Sequence, residues 1–206
     1  MTKGRVWAAG AAVAAGATAV SVLWIDRRLA ECIDETGWHT GFALRLNAGL
    51  GVLKPLVVGA MLFLFWGGWM RMKGGRPAAW TRLPLLMSWA VMWTLGVEVV
   101  LKTAFGRGWP DPTYLRNGQY GFHWLHGVMY WNSFPSGTAL IAGAVAGVLW
   151  VERERWRWAV GAVAAALWMA LVLSNDHWLA DVIAGAFLGV TVVWMTVLLQ
   201  GRVAAD

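Results

Sequence analysis

The residues best equipped for chemistry lie between two runs of almost pure hydrocarbon, in the stretch Ser174-Asn175-Asp176-His177-Trp178-Leu179-Ala180-Asp181. Polar groups in such a setting are costly unless they serve a purpose. Residues four apart share one face of a helix, so a helix beginning near His177 brings the Asp181 carboxylate within reach of the imidazole. A carboxylate on one ring nitrogen fixes the tautomer and makes the other nitrogen a better nucleophile or base. The same letters also describe an interfacial helix start, with Asn175 or Asp176 as its cap and His177 touching lipid headgroups.

Two further constellations carry charge or free backbone donors. Leu101 to Pro110 reads Leu-Lys-Thr-Ala-Phe-Gly-Arg-Gly-Trp-Pro, which places Lys102 and Arg107 at a membrane surface, as headgroup anchors or as ligands for an anion. Glu98 precedes Lys102 by one helical turn, in the favourable acid-first order. An intramembrane carboxylate needs a partner, so Glu98 is expected to pair with Lys102. In Ser133-Phe-Pro-Ser-Gly-Thr138, Pro135 opens a helix that Ser136 can cap. A helix start offers free N–H groups and a positive dipole end, hence a seat for an anion, although an ordinary capped helix has the same signature. Together the two cations, the helix start and the His–Asp pair describe a pocket for a phosphate ester and its attack. His123 and His126 sit in the aromatic loop Tyr120–Trp131 and offer an alternative acid. The histidines show no metal-ligand spacing, so no metal or other cofactor is expected.

The elements that must position these residues are membrane helices. Of 206 residues 59% are hydrophobic and the mean hydropathy is +0.54, well above a soluble domain. Seventeen tryptophans against three tyrosines suit interfacial belts. A net charge of +6 raises nucleic acid as a partner, but Lys and Arg fall in short gaps between apolar runs rather than in a basic run with interleaved polar residues. Cys32, the sole cysteine, excludes an intramolecular disulfide. The expectation is an all-α polytopic protein forming one membrane domain over residues 1–206. Its six transmembrane helices form a compact bundle, with an interfacial helix besides.

The spans are expected at Val6–Ile25, Pro55–Met70, Leu83–Leu101, Ser136–Val151, Trp158–Leu173 and Leu179–Leu199. The first reads as an uncleaved helix rather than a signal peptide. Asp26–Glu35 mixes signs and reads as an exposed connection, and Gly37–Leu53, which carries Arg45, as the interfacial helix. Gly143/Gly147 and Gly185/Gly189 each form a small-xxx-small face for close helix contact. The basic Arg71–Arg82 loop places that side in the cytoplasm, so the loops Lys102–Ser133 and Ser174–Trp178 share the opposite face.

On these residues the chain resembles the type 2 phosphatidic acid phosphatase superfamily over roughly residues 50–199. That family carries Lys, six residues, Arg-Pro; then Pro-Ser-Gly-His; then Ser-Arg, five residues, His, three residues, Asp. Lys102, Pro110, Pro135, Ser136, Gly137, His177 and Asp181 fit, whereas Trp109, Thr138, Ala170 and Leu171 depart from the pattern, with Arg107 nearest to the first missing arginine. The resemblance implies a metal-independent lipid phosphatase or phosphotransferase in a bacterial inner membrane, its site facing outward, acting on a polyprenyl diphosphate or a phospholipid-type substrate. It makes His177 the nucleophile that forms a phosphohistidine and Asp181 its orienting partner. Lys102, Arg107, Ser136, the Gly137 amide and Thr138 would surround the phosphate, with Asn175 supplying an amide donor where the last arginine is missing. Thr138 stands where the family has its acid, which favours substrates with good leaving groups. The competing expectation is a pseudoenzyme that binds or carries lipid phosphate without turnover.

Overall fold

A computed structural model describes residues 3–37, 53–75, 78–111, 115, 117–118, 120–125 and 131–203. Helix α1 (Lys3–Val20) runs through a π-helical turn (Ser21–Ile25) into α2 (Asp26–Glu35). There follow α3 (Leu53–Met72), α4 (Arg82–Phe105), α5 (Gly137–Glu152), α6 (Arg157–Leu173) and α7 (Leu179–Val203), with short 3-10 turns at Ala79–Thr81 and Glu154–Trp156. No strand occurs among the described residues. The six expected spans are all occupied by apolar helix. Four helices are long and apolar enough to cross a membrane, at Gly4–Glu35, Arg82–Phe105, Glu154–Leu173 and Leu179–Val197, while Val57–Met72 and Gly137–Glu152 are shorter.

The helix ends follow local chemistry. Gly106 adopts the left-handed conformation (φ 50°) after α4 and its N–H bonds to the Lys102 carbonyl at 3.0 Å, as a glycine C-terminus should. Ser136 stands before α5 in extended conformation, and its hydroxyl accepts the Ala139 N–H at 3.2 Å, the N-cap expected from its position. Asn175, one of the residue types that tolerates the left-handed region, turns the chain at φ 54° between α6 and α7.

The most extensive helix contact joins α5 to α7, and the two glycine faces meet each other there. A Cβ on Gly143 would stand 2.7 Å from the Ala186 carbonyl oxygen, one on Gly185 would stand 2.5 Å from that of Ser136, and one on Gly189 would run into that of Leu140. Backbone therefore lies on backbone, as small residues permit in a membrane. The Gly185 contact has a consequence for function, because it fixes the start of α5 against the first turns of α7. Around this pair, α4 packs on α5, α3 on α4 and α1 on α7. The last contact is sealed by Trp7, which donates to Thr191 Oγ1 at 3.2 Å and stacks on Trp194.

Asp26–Glu35 is not the exposed connection its mixed charges imply. It continues the first helix, with Asp26, Ala30 and Ile33 buried and Arg27, Arg28 and Glu35 exposed. The buried residues recur at helical spacing and face the bundle, while Arg27 and Glu31 pair at 2.7 Å on the outer face. The interfacial helix expected over Gly37–Leu53 falls almost wholly outside the described residues.

Because the α5–α7 seam has backbone carbonyls where a Cβ would go, Gly189→Ala should lower stability by about 1–3 kcal/mol through forced backbone shifts. Gly96→Ala in α4, which has open space at its Cβ, should show no loss. Thermal unfolding of the two variants in the same detergent checks the contrast.

Candidate active site

The turn that carries His177 is built from its own backbone outward. The N–H groups of Asp176 and His177 both bond to the Leu171 carbonyl at 3.2 Å, and Val182 N–H bonds to that of Trp178. Trp178 is buried and its indole N–H bonds to the Gly108 carbonyl at 2.6 Å, so the turn is fastened to the loop after α4. This brings together two stretches some seventy residues apart. His177 is 5% exposed and packs on the Trp109 ring with centroids 4.7 Å apart. Its Nδ1 faces Asp181 Oδ2 at 3.6 Å and has no hydrogen-bond partner. That gap exceeds a hydrogen bond, and closing it by about 0.6 Å makes one.

Asp181 is fully buried and strongly engaged. Its Oδ1 receives Arg107 Nη1 at 2.5 Å and its Oδ2 receives the Ser133 hydroxyl. Arg107, 4% exposed, gives its other terminal nitrogen, Nη2, to Asp26 Oδ2 at 2.6 Å. Asp26 Oδ1 in turn accepts the Ser21 hydroxyl at 2.7 Å and the Ala180 N–H at 3.1 Å. The guanidinium lies between the Phe122 and Trp178 rings, 5.1 and 5.0 Å from their centroids, a cation–π setting. Its backbone is pinned too, by the bridge to Phe122 and by the Ser133 N–H on the Arg107 carbonyl at 2.9 Å.

The start of α5 forms the other wall. Ser136 N–H bonds to the Asp181 carbonyl at 3.1 Å, which ties this helix start to the His–Asp element. Glu98 lies directly over Gly137, where its carboxylate fills the space a Cβ would take. Lys102 Nζ holds that carboxylate at 2.9 Å, with both side chains 18% exposed. The expected Glu98–Lys102 pair is therefore present, and the ammonium also stands 5.7 Å above the Trp109 ring. Trp109 thus lies between the cation and His177, its N–H fixed on Asn132 Oδ1 at 2.8 Å. Only glycine permits the Glu98 contact, which is a physical reason for Gly137 at that position.

The fold brings Lys102, Ser136, Gly137, His177 and Asp181 to one end of the bundle, with Thr138 partly buried in the first turn of α5. It directs two other expected ligands elsewhere. Arg107 is turned to the carboxylates of Asp26 and Asp181, and Asn175 donates its amide to the Ala30 carbonyl at 2.9 Å. His123 is exposed and lies against Trp131 with centroids 3.6 Å apart, and His126 lies outside the described residues. Asp26, Ser133 and Trp178 join the site without having been singled out from sequence. The signal for Asp26 was faint: a carboxylate flanked by Ile25 and two arginines reads as a loop charge. What this arrangement can do is hold an imidazole with one nitrogen toward a buried carboxylate and the other turned from it, beside a helix start and a lysine.

Residues 83–204 match the PAP2 superfamily. A curated relative, the lipid A 1-phosphatase of Rhizobium johnstonii, is 29% identical over 168 residues, covering 76% of this chain and 66% of its own length. The fold is similar to that of a transmembrane PAP2 type phosphatidylglycerolphosphate phosphatase from Bacillus subtilis, with TM-score 0.55 and 20% identity over 94% of this chain and 92% of the other.

Arg107→Ala strands two buried carboxylates, so it should destabilise the protein by about 3–5 kcal/mol. Arg82→Ala, which opens an exposed pair with Glu152 at 3.0 Å, should change stability by less than about 1 kcal/mol. Unfolding midpoints in detergent report both.

Proposed function

The chain belongs to the PAP2 superfamily of membrane lipid phosphatases, and from that premise we propose that it hydrolyses or transfers the phosphate of a phosphorylated lipid through a phosphohistidine on His177. The observation that carries the reading is the buried imidazole with Nδ1 turned to Asp181, which leaves Nε2 as the attacking atom. The lipid phosphate would take the place of the Glu98 carboxylate at Lys102 and the start of α5. There it meets a cation and the free N–H groups of a helix N-terminus. Charge that develops on phosphorus-bound oxygens during attack is stabilised by the same groups.

Nε2 bonds to phosphorus as the bond from phosphorus to the lipid oxygen breaks, and Asp181 supports the charge that appears on the ring. Water, or an acceptor hydroxyl, then takes the phosphoryl group from His177. Thr138 has no proton to give near neutral pH, and acid assistance is worth about 10²–10⁴ in rate. Departure then rests on the acidity of the leaving group itself, so the substrate class that fits is a lipid diphosphate or a lipid phosphate with a comparably good leaving group. The similarity to a lipid A 1-phosphatase supports a bacterial phosphorylated lipid as the substrate.

A second reading, binding of lipid phosphate without turnover, draws on two features of the resting site. Asp181 is occupied by Arg107 and Ser133 rather than by His177, and Lys102 is occupied by Glu98. Phosphate release separates the two readings. Farnesyl diphosphate should be hydrolysed faster than farnesyl monophosphate, His177→Ala should abolish both reactions, and Asp181→Asn should reduce kcat by about a hundredfold while sparing binding. Tight binding of both lipids with no release by the wild-type protein establishes the second reading instead.

The charge asymmetry of the loops supports a site at the outer face of an inner membrane, which is the orientation we propose. Asn117 is exposed in the loop that follows α4. A Cys32→Ser, Asn117→Cys protein should react with an impermeant maleimide in right-side-out membrane vesicles. Labelling that requires permeabilisation reverses the orientation.

A further inference from the structure

We infer that Asp26 is a positioning residue of the reaction, acting through Arg107 to keep Asp181 a charged partner for His177. The inference rests on the phosphohistidine reading above and extends it to a helix outside the matched residues 83–204. Asp181 by itself would be a spent partner, because Arg107 holds its Oδ1 at 2.5 Å and offers a full positive charge in return. Asp26 offsets that charge from the other side, with its Oδ2 on Arg107 Nη2 at 2.6 Å. Two carboxylates around one guanidinium leave the group with one negative charge, and the group is sealed from solvent, with Asp26 3% and Asp181 0% exposed. An uncompensated buried charge is unfavourable, and the nearest group able to answer it is the His177 ring.

The reaction supplies the answer. As a nucleophile the imidazole is unprotonated at Nε2 and neutral. When Nε2 forms its bond to phosphorus, the lipid oxygen leaves with the electron pair of the broken bond. The ring keeps its Nδ1 proton and becomes cationic. Asp26, Arg107, Asp181 and the ring then sum to zero, so the cluster is electrically matched to the phosphoenzyme rather than to the resting state. Among the described residues, the other groups bonded to or stacked on the cluster are uncharged: the Ser21 and Ser133 hydroxyls, the Ala180 N–H and the Phe122 and Trp178 rings. Lys102 lies beyond Trp109, paired with Glu98. Asp26 itself is held from two sides, by Ser21 across the π-helical turn and by Ala180 at the start of α7, which is how a positioning group should be held.

Hydrolysis of farnesyl diphosphate by three proteins tests this: wild type, Asp26→Asn, and Asp26→Asn with Arg107→Gln. Asp26→Asn keeps Arg107 paired with Asp181, so the protein should fold; its kcat should fall by roughly tenfold or more, the effect of one unit charge at partly buried range, with KM within about twofold. The double variant restores one net negative charge on Asp181 and should recover most of the lost kcat. Wild-type kcat in Asp26→Asn overturns the inference. So does a double variant slower than Asp26→Asn, which makes Asp26 a structural pin whose loss adds to that of Arg107. His177→Ala in the same assay keeps the two levels apart: activity surviving in that variant, or absent from the wild type, removes the phosphohistidine reading and this inference with it.

Discussion

The structure depends on one buried guanidinium held by two carboxylates. Arg107, Asp26 and Asp181 are all buried from bulk solvent. Their burial is tolerated because the guanidinium pairs with both carboxylates. They come from the first helix, the loop after α4 and the start of α7, and the cluster joins all three segments at one point. The Phe122 and Trp178 rings flank the guanidinium, and the Ser133 and Ser21 hydroxyls and the Ala180 N–H add hydrogen bonds to the carboxylates, while Arg107 Nε has no partner among the described residues. The polar end of an otherwise apolar bundle is thereby made rigid, and a rigid support is what a reactive imidazole needs.

Glycine does the complementary work along the bundle. The α5–α7 seam is close because Gly143, Gly185 and Gly189 put carbonyl oxygens where side chains would be. Its upper end delivers Ser136 to Asp181 and Gly137 to Glu98. Packing and chemistry are therefore not separable there: the contact that holds two helices together also sets the distance between the helix start and the His–Asp turn.

Much of this was legible in the order of residues. The six apolar runs, the Ser136 cap, the Glu98–Lys102 pair and the two glycine faces follow from periodicity and near-neighbour spacing, and the structure has each of them. The His177–Asp181 spacing likewise puts the pair on one face, though the Nδ1 to Oδ2 separation of 3.6 Å is set by what else Asp181 holds. What sequence did not reveal is the long-range choice of partner. Arg107 beside a membrane surface looks like a phosphate ligand until Asp26, 81 residues earlier, is brought against it. Asp26 in turn looks like a loop charge because the stretch it opens mixes charges of both signs, and only the helical register of α2 sorts the buried face from the exposed one. The Asn175 amide was lost to Ala30 for the same reason.

The π-helical turn at Ser21–Ile25 sits directly before Asp26. Such a turn accommodates one residue more than an α-turn does. It therefore acts as a phase step in an otherwise regular screw: everything after it is displaced in azimuth by about 100° relative to an uninterrupted α-helix. Without that step, the bilayer-facing side of α1 would continue into α2 and Asp26 would point along a different meridian of the cylinder. The lipid-facing half of the first helix and its charge-bearing half can thus answer to different surroundings while remaining one continuous rod. A single extra residue is enough to separate the two.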